Sequence, residues 1–213
     1  MAYPHAPRRR PSDTELRPGA NLTRTDLSGA TLPEVDLSLA RLVEADLSMA
    51  NLAHGYLTDA MLRRAILRRA DLTKVRMSKA NFTRANLFEA ILVGTDMSET
   101  VLVGANLTGV DLTGADLSRA NLAGANLTGA ILSRAEMWGA NLAGANLSGA
   151  TLRRTDLWGA NLTGANLARA DLTEANLSGV TADGVDWYRA ILTDAVVLGA
   201  TGVPITETPG PLV

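Results

Sequence analysis

The side chains that most often carry out catalysis are scarce in this sequence. It contains no cysteine and only two histidines, His5 and His54, too few and too far apart for a histidine metal site. Glycines recur with the spacing of a phosphate-binding loop, as from Gly124 to Gly129, but Ala130 stands where such a loop needs lysine. A catalytic site needs a nucleophile, a base and a residue that orients the base. No such set is recognisable, so we expect a protein that is not an enzyme and that binds no cofactor or metal.

A five-residue repeat runs through most of the chain. From Leu22 to Val197 there are 36 consecutive units without insertion, and 29 of them have leucine at the centre. Two places before the centre 26 units have alanine, and between alanine and leucine 22 units have Asn or Asp. The centre is followed mostly by Ser or Thr, and then by glycine in 15 of the 36 units. The other seven central residues are Met77, Phe82, Met97, Met137, Ala182, Trp187 and Val197.

Neither a straight helix nor a straight strand buries a leucine at every fifth position. Five residues turn an α-helix by about 500°, so successive leucines would point about 140° apart. In a strand, an odd spacing sends successive leucines to opposite faces. A chain that bends inward at every unit avoids this, because Ala and Leu then share the inside while Asn or Asp points outward. The Ser/Thr-Gly pair suits the corner. The period therefore predicts a solenoid with flat sides.

The pattern Ala-(Asn/Asp)-Leu-(Ser/Thr)-x, as in ANLTG at residues 105–109, resembles the pentapeptide-repeat family. The resemblance covers residues 20–199, about 85% of the chain. It implies an all-β fold, a right-handed quadrilateral parallel β-helix with four units in each coil. The 36 units would then form about nine coils, and a rod about 43 Å long at the usual chain spacing of about 4.8 Å.

The two ends of the repeat need closure, because an open solenoid end exposes backbone groups and leucines. We expect an N-terminal tail and cap over residues 1–19, the β-helix over 20–199 with a terminal capping coil at 180–199, and an irregular tail over 200–213. Ser12-Asp13-Thr14-Glu15 has the spacing of a capping box and predicts a short helix that Pro18 ends. An apolar set near the C-terminus predicts a cap, and the resemblance implies a homodimer contact as the alternative. This set consists of Trp187, Tyr188, Ile191, Leu192, Val196, Val197 and Leu198.

With four units in each coil, residues twenty apart would stack in columns on one side. One side would then display Asp96, Asp116, Glu136 and Asp156 on four consecutive rungs, with Trp138 and Trp158 beside the last two. Stacked carboxylates repel one another, and tryptophan is enriched at protein contacts. These six residues are the candidate partner-binding site. The alternative is that Asn and Asp recur at this position because every unit favours them, as in the column of Asn121, Asn141 and Asn161.

Residues 61–80 form a basic belt that would encircle one coil. Its seven basic residues are opposed only by Asp71, and such a ring suits phosphate or an acidic protein. Charged corners that keep a rod soluble are the commoner explanation. Direct nucleic-acid binding is disfavoured, because the belt has no aromatic residue on which bases stack. The belt consists of Arg63, Arg64, Arg68, Arg69, Lys74, Arg76 and Lys79.

The first functional hypothesis is a non-enzymatic solenoid scaffold that binds a macromolecular partner, a protein, through its flat charged sides. The resemblance supplies the second, because some family members imitate duplex DNA and bind DNA gyrase or topoisomerase IV, which protects these enzymes from poisons. The rod and the acidic column suit DNA mimicry. The formal net charge of -2 does not, because a duplex about 43 Å long carries about 25 negative charges. No secretory signal or membrane-spanning apolar run is present, so we expect a protein of the cytoplasm without a membrane partner. The resemblance implies that it is bacterial.

Overall fold

The computed structural model describes residues 9–204. His5 and most of the tail expected at 200–213 therefore lie outside the described residues. The only helix within this range is a short 3-10 helix, η1, at Asp13–Glu15, as the capping-box spacing predicts. The rest of the described chain consists of turns and isolated parallel bridges.

The bridges have a uniform register of twenty residues. They run from Asn21↔Arg41 at the front to Thr181↔Thr201 at the rear, and every one is parallel. Because four units separate bridged residues, the chain closes one four-sided coil in every twenty residues. We number the sides 1 to 4 in chain order, so that Asn21, Asp26, Thr31 and Asp36 begin the outward columns of sides 1, 2, 3 and 4.

A left-handed backbone residue makes every corner. The residue two places after each centre, from Arg24 to Gly199, has φ between 54° and 69° in all 36 units. Fifteen of these residues are glycine and 21 are not. The predicted bend at each fifth residue is confirmed, but glycine is not required for it. The stacking of neighbouring coils evidently offsets the cost of about 1 kcal/mol for an L-residue in this region.

All five backbone N–H groups of a typical unit are satisfied. In residues 106–110, three donate to neighbouring coils, one donates to the central leucine of the same unit, and one donates to the Asn side chain. The bonds are Asn106 N–H to Ala85 O (2.9 Å), Leu107 N–H to Asn126 O (2.7 Å), Gly109 N–H to Thr128 O (3.0 Å), Val110 N–H to Leu107 O (3.3 Å) and Thr108 N–H to Asn106 Oδ1 (3.1 Å). The recurring Asn or Asp therefore has a backbone function, because it accepts the one N–H that no other backbone group reaches.

The inside of the solenoid is filled by the central and alanine positions. Nearly every central leucine from Leu22 to Leu177 is buried, as are the alanines two places before them, which confirms the inward orientation that the repeat predicts. Four threonines replace alanine and are also buried: Thr25, Thr95, Thr100 and Thr155. Their hydroxyls donate to backbone carbonyls, such as that of Leu22 at 2.8 Å from Thr25 Oγ1. Within residues 9–204 no buried side-chain nitrogen or oxygen lacks a hydrogen-bond partner.

The front of the solenoid is joined to the segment that precedes it. Arg9 accepts the N–H of Asp26 through its carbonyl oxygen (2.8 Å), and its guanidinium makes two hydrogen bonds to Glu15 of η1 (2.7 and 2.8 Å). Leu16 and Leu32 are both partly buried and pack against the core. The Arg9 hydrogen bonds lower the pKa of Glu15 to about 2.

Candidate protein-interaction surface

The structure brings the acidic column together on side 4. Asp96, Asp116, Glu136 and Asp156 occupy consecutive rungs, and each is bridged to the next. Among residues 9–204 none of the four forms an ion pair. The outward residues of side 4 sum to a formal charge of -4. The acids are Asp36, Asp59, Asp96, Glu99, Asp116, Glu136 and Asp156, and the bases are Arg76, Lys79 and Arg119.

Three of the four carboxylates also serve the backbone. Asp96 accepts the N–H of Ser98 (3.1 Å), Asp116 that of Ser118 (2.8 Å) and Asp156 that of Trp158 (3.0 Å). The alternative interpretation of the column, that the repeat itself favours Asp, therefore has a physical basis at these three rungs. It does not extend to Glu136, which is exposed and makes no such bond among the described residues.

The two tryptophans lie on side 4, beside the last two acids of the column. Trp158 is 56% exposed, and Trp138 is half-buried. Each indole belongs to the same six-residue pattern, Arg-x-acid-x-Trp-Gly, at residues 134–139 and 154–159. The structure therefore places two copies of one short motif on adjacent rungs, and most of the exposed aromatic surface of side 4 lies there.

Arg119 is a member of this surface that sequence reasoning missed. Its guanidinium carbon lies 4.6 Å from the centroid of the Trp138 ring, a cation–π contact. Arg119 is the corner residue of the preceding rung, and its N–H donates to the carbonyl of Trp138 (3.0 Å). The sequence signal that would have found it is a spacing of nineteen residues, which joins a corner to the residue that follows the central residue on the same side of the next coil.

The basic belt encircles one coil, and its seven side chains are exposed on all four sides. They do not form one patch. Four of them already have partners on neighbouring rungs: Arg64 pairs with Glu44 (3.7 Å) and Arg69 with Glu89 (2.7 Å), while Arg68 and Arg76 lie over Phe88 and Tyr56 at 5.5 and 5.6 Å from the ring centroids. Four of the seven side chains thus interact within the molecule. This favours the interpretation of the belt as surface charges that keep the rod soluble.

The apolar C-terminal set is divided by the structure. Trp187, Leu192 and Val197 occupy central positions and face the core, and the indole of Trp187 donates to the carbonyl of Gly202 (3.0 Å). The other four are outward and exposed: Tyr188, Ile191, Val196 and Leu198. These four residues therefore do not form part of an apolar cap, because alternation along the chain turns them away from the core; the alternative, a homodimer contact, stays a prediction for them.

Corner charges stack into ion pairs on sides 1 to 3. On side 3, Arg154 makes two hydrogen bonds to Glu174 (2.7 and 3.1 Å), and these lower the pKa of Glu174. On side 1, Glu44 lies between Arg24 (2.7 Å) and Arg64 (3.7 Å), and the hydrogen bond from Arg24 lowers its pKa. Side 4 carries no such pair among the described residues, so none of its stacked carboxylates is held there by a corner cation.

His54 is an exposed corner residue beside Glu34, Tyr56, Lys74 and Arg76. No group of His, Cys, Asp and Glu in residues 9–204 is arranged to hold a metal ion. No helix in that range is long and apolar enough to cross a membrane.

Comparison with known proteins gives a consistent result. A family model described as pentapeptide repeats matches in eight copies that together extend over residues 20–201. Among solved structures, HetL from the cyanobacterium Nostoc sp. strain PCC 7120, a pentapeptide repeat protein involved in heterocyst differentiation regulation, is 36% identical. The match covers 84% of this chain and 88% of HetL, with a TM-score of 0.47.

Two further structures are more distant. Trypsin-treated QnrB1, a plasmid-mediated fluoroquinolone resistance protein, is 20% identical over 87% of this chain and 90% of its own, with a TM-score of 0.49. A pentapeptide repeat protein from the Arabidopsis thaliana thylakoid lumen is 30% identical over 60% of this chain and 68% of its own, with a TM-score of 0.21. No curated protein matches the chain significantly.

Proposed function

The chain belongs to the pentapeptide-repeat family, and we propose that it is a scaffold that binds a protein partner through side 4. Members of this family fold as right-handed quadrilateral β-helices and are generally non-enzymatic scaffolds. The observation that carries the proposal is the position of an exposed indole, Trp158, beside a column of carboxylates that form no ion pair within residues 9–204. Tryptophan is among the residues that contribute most to protein interfaces, and unpaired charge beside it gives such an interface specificity.

The test removes the two indoles and leaves the core intact. Trp138→Ser combined with Trp158→Ser should leave thermal melting nearly unchanged, because neither residue occupies an inward position. The matched control is Ile91→Ser combined with Ile131→Ser, which removes two exposed apolar side chains from side 3. A partner captured by the native protein and by the control, but not by the tryptophan variant, supports side 4. Equal capture by all three proteins would contradict it.

Several further features form part of the proposal. The scaffold comprises about nine coils with a short N-terminal cap at η1 and an apolar C-terminal cap, and it acts in the cytoplasm. The exposed outward residues of the last coil, Tyr188, Ile191, Val196 and Leu198, suit a homodimer contact at the C-terminal end. Sedimentation at micromolar concentration tests the dimer: Val196→Asp with Leu198→Asp should convert a dimer of the native chain to monomers. A native chain that sediments as a monomer would contradict the contact.

The second candidate function is DNA mimicry, in which the chain binds DNA gyrase or topoisomerase IV and protects it from poisons. Four consecutive carboxylate rungs on side 4 favour it, since they imitate one row of phosphates. A gyrase supercoiling and drug-stabilised cleavage assay decides it. If the protein protects gyrase, reversing Asp96, Asp116, Glu136 and Asp156 to lysine should abolish the protection. No effect of the folded native protein at micromolar concentration would exclude DNA mimicry.

A further inference from the structure

The two tryptophans of side 4 have the same backbone setting but different neighbours. Each carbonyl accepts an N–H from the corner residue of the preceding rung: Trp138 from Arg119 (3.0 Å) and Trp158 from Gly139 (2.8 Å). Over Trp138, the corner residue supplies a guanidinium 4.6 Å from the ring centroid. Over Trp158, the equivalent corner residue has no side chain. The molecule thus contains one filled and one unfilled version of the same arrangement.

The unfilled version is open to solvent. Trp158 is 56% exposed, and among residues 9–204 no Arg or Lys lies over its ring. A side-chain atom added at Gly139 would have only one neighbour within 4 Å, the Cγ of Arg119 at 3.7 Å. The corner that carries the guanidinium over Trp138 therefore holds no side chain beside Trp158, although it has space for a Cβ atom.

The charges around Trp158 favour a cation. Glu136 and Asp156 lie on the two rungs concerned, bridged to each other, and neither has an ion pair within the described chain. Asp156 Oδ1 accepts the backbone N–H of Trp158 (3.0 Å) and the side-chain amide of Asn176 (2.9 Å). These two hydrogen bonds fix the position of the carboxylate. Of the nearby cations, Arg119 lies on Trp138 and Arg154 pairs with Glu174, whereas Arg134, at the corner before Glu136, has no ion pair among the described residues.

We propose that the open face of Trp158, together with Glu136 and Asp156, is a binding site for an arginine side chain of the protein partner. The inference rests on the proposed function, because it names the chemistry that side 4 recognises. Arginine fits better than lysine, since its planar guanidinium stacks on an aromatic ring and also forms paired hydrogen bonds to carboxylates. The Arg119–Trp138 contact is the intramolecular example of the same recognition.

A competitor for this site can be built into the chain. Gly139→Arg should place a guanidinium over Trp158 as Arg119 does over Trp138, and so fill the site. The substitution is compatible with the fold, because nine corners already carry arginine at φ of 55–61°: Arg24, Arg64, Arg69, Arg84, Arg119, Arg134, Arg154, Arg169 and Arg189. The control is Gly179→Arg, which adds the same charge to the same corner column two rungs away. There the residue that accepts the corner N–H is Leu198 (2.9 Å) and not a tryptophan.

The site can be observed directly by NMR, because the chain has three tryptophans and hence three indole N–H signals. The probe is the peptide acetyl-Gly-Arg-Gly-Arg-Gly-amide, with its lysine counterpart as the comparison. We expect the arginine peptide to shift the Trp158 signal saturably and to bind about fivefold more tightly than the lysine peptide. Gly139→Arg should remove the response, Gly179→Arg should retain it, and Glu136→Gln should weaken binding about threefold.

An unmoved Trp158 signal, or an equal response in the Gly139→Arg variant, would overturn the inference. Partner capture separates this failure from failure of the proposed function. If the double tryptophan variant loses the partner but Gly139→Arg keeps it, side 4 remains the docking side and the arginine site is wrong. If neither variant affects capture, side 4 itself is wrong.

Discussion

The front and the rear of the rod build the same corner from different residues. Among the first sixteen corners, from Arg24 to Glu99, only Gly29 and Gly94 are glycine, whereas thirteen of the last twenty are glycine, from Gly104 to Gly199. The backbone conformation is the same in both halves, since φ of the corner residues stays between 54° and 69° throughout. The comparison shows that stacking imposes the corner and that the corner residue is free to serve the surface.

The surfaces differ accordingly. At the front, long corner side chains pair with the next rung, as Arg24 with Glu44 and Arg69 with Glu89. At the rear, most corners are bare, and Gly139 leaves Trp158 uncovered. Ion pairs occur in both halves, since Arg154 pairs with Glu174 at the rear. The rear also combines the exposed indole of Trp158 with a column of stacked carboxylates, which is why we place the docking site at the rear.

The largest expected effect comes from replacing a central leucine by alanine, and it tests whether the two halves have the same core packing. Leu47 and Leu127 lie in the same inward column, one at the front and one further back, and both are fully buried. Replacing either by alanine should cost about 2–5 kcal/mol of unfolding free energy in urea melts, and by similar amounts, because the packing around them is the same. A loss below about 0.5 kcal/mol at Leu127 would contradict its inward position, and a large difference between the two would show that the halves are not equivalent.

Substitutions at the corners should change stability in opposite directions in the two halves, because glycine is added in one half and removed in the other. Leu39 is 62% exposed with φ 62°, so Leu39→Gly should stabilise by up to about 1 kcal/mol as left-handed strain is relieved. In the opposite sense, Gly149→Ala should destabilise by about 1 kcal/mol, although nothing lies within 4 Å of the added methyl group. Urea melts of both variants measure the pair. Two changes of the same sign would contradict the view that both halves hold the same strained corner.

The Asn side chain that accepts the backbone N–H next to a corner should also contribute about 1 kcal/mol to stability. Asn126 Oδ1 accepts both the N–H (3.1 Å) and the hydroxyl (2.7 Å) of Thr128. Asn126→Ala leaves that N–H to water and should cost about 1 kcal/mol, with faster hydrogen exchange confined to Thr128 and its neighbours. Asn126→Asp, which keeps the acceptor, is the matched control. An alanine variant as stable as the native chain would show that solvent serves this N–H equally well.

Much of the fold could be predicted from the sequence, and less of the site. The period of five requires the bend and the inward leucine, and Ser12 with Glu15 indicates η1; the structure confirms all three. Arg119 over Trp138 was not predicted, because a contact across nineteen residues depends on the length of one coil and on the reach of a flexible arginine. A cap that includes Tyr188 and Leu198 was wrong, because apolar composition was given more weight than their outward positions within the repeat; the homodimer contact stays a prediction.

The smallest expected effect concerns the ion pairs of the front. The Arg24 hydrogen bond lowers the pKa of Glu44, so the folded state holds this carboxylate ionised more strongly than the unfolded chain does. Its contribution is therefore fully present above the ordinary glutamate pKa of about 4.3 and is lost as the pH falls through the lower folded value. Because Arg24 is 68% exposed, we expect the pair to contribute less than about 1 kcal/mol to stability at pH 7, and less still in 1 M salt.

A carboxyl NMR titration should show Glu44 titrating below its ordinary pKa, and Arg24→Gln should move that pKa back upward. If that variant leaves the titration unchanged, Arg24 and Glu44 are merely solvated charges, and the long corner side chains of the front would in this case do no more for the fold than the glycine corners of the rear.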